Sequence, residues 1–345
     1  MWLAAAVTLA ASLVATDDPK ATVQVDPAKR EVIVTAGPFH VAAMPPGMKH
    51  EDMESMNDHN TPLIRFEWPV DGWLRGFQVE VVDGDGKPVD RRVIHHLIGV
   101  NFDRRQLLYP AIERIFGIGR ETEDMSVPRS IGVPMTSGLR LGMYMAWQNE
   151  TGRDLHGLQI RVRLAYSPKN LNPRPVDALP LYMDVNLTVG GSNSYDVPPG
   201  RSEKGWEFTM PVDGRLLGYS GHLHDYGVGV RLEDVATGKV LATVKGSLAK
   251  DGKISRISRS LPGVGGDGIR LRAGRKYRVV GTYDNPTGAT LPKGAMAHIS
   301  GIFAPDDYSK WPKVDLADEA TQDDLASLNE LGQAAHKHGG SGNQR

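Results

Sequence analysis

Polar and apolar residues alternate with a period of two along much of the chain. Val23-Gln24-Val25 and Val32-Ile33-Val34 are separated by Asp26-Pro27 and closed by Gly37-Pro38, which reads as a pair of strands. Leu74 to Val82 resumes the pattern, and Asp83-Gly84-Asp85-Gly86 supplies a hairpin turn before a strand carrying Ile94-His95-His96-Leu97. Further strand-like runs cover Leu139 to Trp147 and Leu158 to Tyr166. A second set follows at Tyr182 to Val189, Trp206 to Pro211, Arg215 to Tyr219, Val228 to Glu233, Lys239 to Lys245, Ile269 to Leu271, Tyr277 to Tyr283 and Ala295 to Phe303. Short strands at this spacing predict antiparallel sandwiches or barrels.

Helical spacing is scarce. Arg104 to Gly117 shows some, with Leu107, Leu108, Ile112 and Ile115, but Pro110 limits it to a short turn of helix. Asp315 to His336 has helix-forming composition and runs into a polar, Gly-rich end, predicting a loose terminal helix followed by disorder. The Pro-rich stretch Ser167 to Pro175 suits a linker better than a sheet. The expected fold is therefore all-β, two tandem antiparallel β-sandwich, jelly-roll-like domains with a short C-terminal helical tail. The boundaries are 22–166 for the first domain, 167–176 for the linker, 177–308 for the second domain and 309–345 for the tail.

Residues 1–16 read as a signal peptide, because Met1 to Ala15 is apolar and Ala-rich and turns polar at Thr16-Asp17-Asp18-Pro19. Export to an extracytoplasmic space is the expectation, and no second apolar stretch predicts membrane insertion. The 345 residues carry 40 Lys+Arg against 41 Asp+Glu, with no block of like charge, which argues against nucleic acid and anionic membrane as partners. Cysteine is absent, so thiolate metal sites, disulfides and cysteine nucleophiles are excluded and any metal must use His, Met, Asp or Glu. Gly-x-Ser-x-Gly, phosphate-loop and His-Glu-x-x-His patterns are also missing, and the glycine cluster Pro262 to Gly268 reads as a turn.

Two clusters remain as candidate chemistry. Gly221-His222-Leu223-His224-Asp225 places two imidazoles at i and i+2, which share a face of a strand, and Asp225 is a candidate to orient one of them. Downstream, Met296 and His298 also fall on one face, although Met296 reads equally as core packing and His298 as a structural histidine. A thioether beside imidazoles suits copper in both oxidation states better than zinc, calcium or magnesium. Met44 to His59 holds four methionines and two histidines in a polar segment and resembles Met-rich copper-handling segments.

His95-His96, His222-Leu223-His224, Tyr283-Asp284-Asn285 and Met296, in that order, resemble the copper type II, ascorbate-dependent monooxygenases, the family of peptidylglycine α-hydroxylating and dopamine β-monooxygenases. The resemblance covers roughly Thr22 to Pro305. It implies two β-sandwich domains, each carrying one copper across a solvent-filled cleft, with ascorbate or another reductant as electron donor. His222, His224 and Met296 match the copper at which dioxygen is activated, and His95 and His96 match two of three imidazoles at the other. Where the third histidine belongs the chain has Ala146, with Met143 and Met145 nearby. Ser220, His298 and Ser300 replace the residues that hold the substrate carboxylate in peptide-amidating members, which argues against glycine-extended peptides. The expected function is hydroxylation of a small organic substrate. The alternatives are a non-catalytic copper-binding or copper-handling protein using the same site and the Met-rich loop, and a metal-free extracellular interaction module.

Overall fold

The computed structural model describes residues 20–45 and 61–331. The apolar leader, the Met-rich segment beyond Pro45, and the tail beyond Leu331 with His336 and His338 lie outside the described residues.

The chain is all-β and sandwich-like, with one α-helix, near its C-terminal end, among the described residues. Leu155–Pro168 shows why these segments become strands. Leu158, Ile160, Val162 and Leu164 point inward and are buried, while Gln159, Arg161 and Arg163 face outward. This strand lies between Glu31–Val41 and Gly72–Val82 in an eight-stranded sheet, antiparallel to both. A four-stranded sheet faces it, in the spatial order Ile64–Glu67, Arg140–Trp147, Ile94–Arg105 and Ile112–Gly119.

The later strands build another pair of sheets. Four strands pair in the order Leu179–Asp184, Ala297–Pro305, Gly214–Leu223 and Ile269–Leu271. Five pair as Gly200–Thr209, Lys276–Asn285, Gly227–Asp234, Val240–Leu248 and Ile254–Ile257, and Tyr195–Val197 joins Leu291–Ala295 as a small ribbon. None of these sheets mixes strands before Asp177 with strands after Leu179. Burial does cross that line, since Trp68, Leu97 and Met143 share one buried apolar cluster with Leu181, Tyr277 and Phe303.

Three segments differ from expectation. Ile112–Gly119 is a strand, not a turn of helix, because Pro110 ends the preceding loop and leaves the β-branched residues after it free to pair with Ile94–Arg105. The stretch expected as a linker is tied to a sheet at both ends. Ser167 and Pro168 continue their strand opposite Trp73 and Gly72, and Val176–Asp177 pairs in parallel with Ile131–Met135.

The terminal helix, Glu319–Glu330, is docked rather than loose. Asp318 caps its start by accepting from the Thr321 N–H. Asp324, on its buried face, accepts from both Arg114 Nη atoms at 2.6 Å each and from the Ile112 N–H at 2.9 Å. No described helix is long and apolar enough to cross a membrane.

Candidate metal centre

On a regular strand, His95 and His96 would project to opposite faces. Here His96 pairs with Ala146 while Ile94 pairs with Trp147, so His95 is the extra residue of a bulge in the register. The resulting bulge turns the strand locally, and the two rings come together with centroids 3.9 Å apart. Ala146, where a third histidine was expected, sits directly across from His96. Met143 and Met145 are both fully buried in the apolar core.

His222 occupies the end of Gly214–Leu223 and His224 follows it, their ring centroids 5.0 Å apart, as the i, i+2 spacing predicts. Packing of the four-stranded sheet of the first half against the four-stranded sheet of the second sets these rings against His95 and His96. The His96 and His222 Nε2 atoms are 3.0 Å apart. Ring centroids of His95 and His224 are separated by 5.6 Å, and those of His96 and His224 by 5.8 Å. One nitrogen from each of His95, His96 and His224 lies within 4.8 Å of the others, close enough for the group to hold a metal ion. The two histidine pairs that the family resemblance assigns to separate coppers thus form one cluster.

The carboxylate that orients this cluster is Glu121, which the sequence reading missed. Its Oε1 lies 2.6 Å from His222 Nδ1, and both side chains are buried. Glu121 as acceptor places the ring proton on Nδ1 and leaves the Nε2 lone pair facing His96. Gly119 makes room for this contact, because a Cβ there would stand 2.4 Å from Glu121 Oε2 and 2.9 Å from His222 Nδ1. Asp225, the expected orienting group, instead accepts from the Ile254 N–H at 2.8 Å and fixes a neighbouring turn. Gly221 serves close strand approach, since a Cβ would stand 2.2 Å from the His298 carbonyl oxygen.

Met296 falls at the break between Leu291–Ala295 and Ala297–Pro305. Tyr283, buried beneath it, donates from its hydroxyl to the Met296 carbonyl and accepts from the His224 N–H, so one phenol ties the positions of both residues. His298 is the cross-strand neighbour of His222, with ring centroids 5.5 Å apart. Its Nδ1 is 3.2 Å from the Tyr182 hydroxyl, which donates to Asp184 at 2.6 Å. Burial, reinforced by the nearby His222, holds the His298 pKa well below the ordinary histidine value, so the ring stays neutral. Burial also pushes the Asp184 carboxyl up to about 6 against the hydrogen bond from Tyr182.

Nitrogen donors dominate the cluster. Two ligands at about 2.0 Å from one ion stand roughly 2.9 Å apart at a right angle and about 3.3 Å apart at a tetrahedral angle. The 3.0 Å between His96 and His222 Nε2 falls in that range. Such a donor set fits a transition metal and not calcium or magnesium, which take oxygen ligands. His95, His96, His222, Met296 and His298 line one wall of a cavity of about 940 Å³ between the halves. Its other walls include Phe77, Phe116, Tyr144, Tyr182, Leu181 and Ile302.

No family model matches the chain, and no curated protein matches it. Among solved structures it is similar to the major capsid protein P2 of bacteriophage PM2, at 11% identity and a TM-score of 0.34, over 71% of this chain and 93% of that one. It is also similar to PNGF-II, at 9% identity and a TM-score of 0.35, over 81% and 65% of the two chains. A chain of Sulfolobus turreted icosahedral virus is 7% identical with a TM-score of 0.21, over 85% and 61%. At these scores no function passes from those proteins to this one.

Proposed function

We propose that this protein is a copper-dependent oxidoreductase that hydroxylates a small organic molecule in the cavity between its halves. The observation that carries the reading is the convergence of His95 and His96 with His222 and His224, of which His95, His96 and His222 line that cavity. His95, His96, His222 and His224 would hold the ion, and Met296, which lines the same cavity, offers a soft thioether of the kind that favours copper over zinc. Bound copper would supply one-electron redox chemistry toward dioxygen, with ascorbate or a similar reductant as the electron source.

The chain's own groups do the rest. Glu121 holds the His222 ring in one orientation, and Tyr283 keeps His224 and Met296 in fixed relation. Neutral His298, held by Tyr182, offers an unprotonated ring nitrogen as a hydrogen-bond acceptor for a substrate. Aromatic and aliphatic walls take an apolar substrate and exclude water. An extracytoplasmic location goes with this reading and rests on the apolar leader.

The test is tightly held copper per chain, measured after passage over a chelating resin, in wild type, His96→Ala and His222→Ala, with ascorbate-dependent oxygen uptake on the same samples. One copper, lost in either variant together with oxygen uptake, is expected. Two coppers, each lost in only one variant, would refute the single centre. Copper retained without oxygen uptake above that of free copper would mark a copper-holding protein instead.

A further inference from the structure

A second cluster of ligating side chains lies on the outer face of the eight-stranded sheet, apart from the cavity. His40 sits in Glu31–Val41 between Phe39 and Val41, which pair with Leu158 and Leu155 of the adjacent strand. Two residues, His156 and Gly157, therefore oppose one, and Gly157 adopts a φ of +66° that a side chain would resist. This glycine bulge turns His156 toward His40, so that the rings stand 4.2 Å apart between centroids. Asp154 completes the group. Its Oδ1 accepts from the Ala43 N–H at 2.9 Å, which holds its Oδ2 3.9 Å from His40 Nε2.

We propose that His40, Asp154 and His156 form a second, solvent-facing site for a divalent transition ion such as Cu(II), Ni(II) or Zn(II). One donor atom of each residue lies within 4.8 Å of the other two, and all three residues are exposed. Two imidazoles and one carboxylate suit borderline ions, and water fills the outward positions. Closing 3.9 Å to the roughly 3.3 Å of a tetrahedral ligand pair takes only rotation of exposed side chains. Exposure makes the site an exchanging one, weaker than the buried cluster, and the assignment does not depend on what that cluster holds.

Calorimetric titration with Cu(II), with the imidazole proton NMR lines followed in parallel, tests it on wild type, His40→Ala/His156→Ala, Asp154→Asn and His96→Ala/His222→Ala. Wild type is expected to show a weaker class of one ion whose binding broadens the His40 and His156 lines. That class disappears in His40→Ala/His156→Ala, weakens by about tenfold in Asp154→Asn and survives in His96→Ala/His222→Ala. An unchanged weaker class in the His40→Ala/His156→Ala protein, or none in wild type, would overturn the assignment. Because the substituted side chains are exposed, matching thermal melts will show that the fold is intact.

Discussion

Removing the Glu121 carboxylate is the sharpest perturbation of the cluster that leaves every ring in place. The Oε1 to Nδ1 contact of 2.6 Å is short, and both side chains are buried, so solvent screens it little. A hydrogen bond to an ionised partner contributes about 1.5 to 3 kcal/mol, against roughly 0.5 to 1.5 kcal/mol for a neutral one. Glu121→Gln keeps the acceptor but loses its charge, and about 1.4 kcal/mol, or tenfold in copper affinity, is expected to go. Glu121→Ala frees the His222 ring altogether, and a loss of about 10- to 100-fold is expected, as for other partners of metal-binding histidines. Gly119→Ala reaches the same end by another route, because its Cβ would occupy the space of the carboxylate and force it off Nδ1. Competition titration of Cu(I) against a coloured chelator reads all three variants on one scale. If Glu121→Ala binds copper within twofold of wild type while folded, the carboxylate does not orient the ring and the reasoning fails.

Tyr283→Phe keeps the buried ring but leaves the His224 N–H and the Met296 carbonyl without their shared partner, so chemical denaturation should show a loss of roughly 2 to 4 kcal/mol. A loss below 0.5 kcal/mol would mean that water takes over both bonds. Asp324→Ala strands the half-buried Arg114 cation and the Ile112 N–H, for an expected cost of about 2 to 4 kcal/mol. Hydrogen exchange across Glu319–Glu330 should rise with it, and unchanged protection would show that apolar contacts alone dock the helix. Asp184 predicts a pH slope: with a folded pKa of about 6 above an unfolded value of 3.8, its contribution is full below pH 4 and is lost as pH rises through 6. The difference between wild type and Asp184→Asn in urea unfolding should therefore change by roughly 3 kcal/mol across that window, and a flat difference would refute the assignment.

Which parts of the site were legible follows from the range over which each feature is encoded. Strand identity is local: the alternation of Leu158, Ile160, Val162 and Leu164 with charged neighbours is readable because every second side chain must enter one core. The same rule puts His222 and His224 on one side from their spacing alone. It misleads at His95 and His96, where the periodicity forbids a shared face and a bulge across from Ala146 and Trp147 restores it. Pro110 likewise hides a strand, because a proline beside helically spaced apolar residues marks a helix boundary locally, while the pairing with Ile94–Arg105 that decides the matter is not local.

The amino-acid sequence by itself determined an all-β chain, its sandwich-like sheets and which imidazoles and thioether were available to a metal, because these depend on period-two patterning and on residue type. Only the tertiary structure decided that His95 and His96 meet His222 and His224 in one cluster, that Glu121 and not Asp225 orients it, and that the last helix is bolted to Arg114. Each of those contacts joins residues about a hundred or more positions apart. Their geometry is set by the packing of one sheet on another, and no local period in the chain records it.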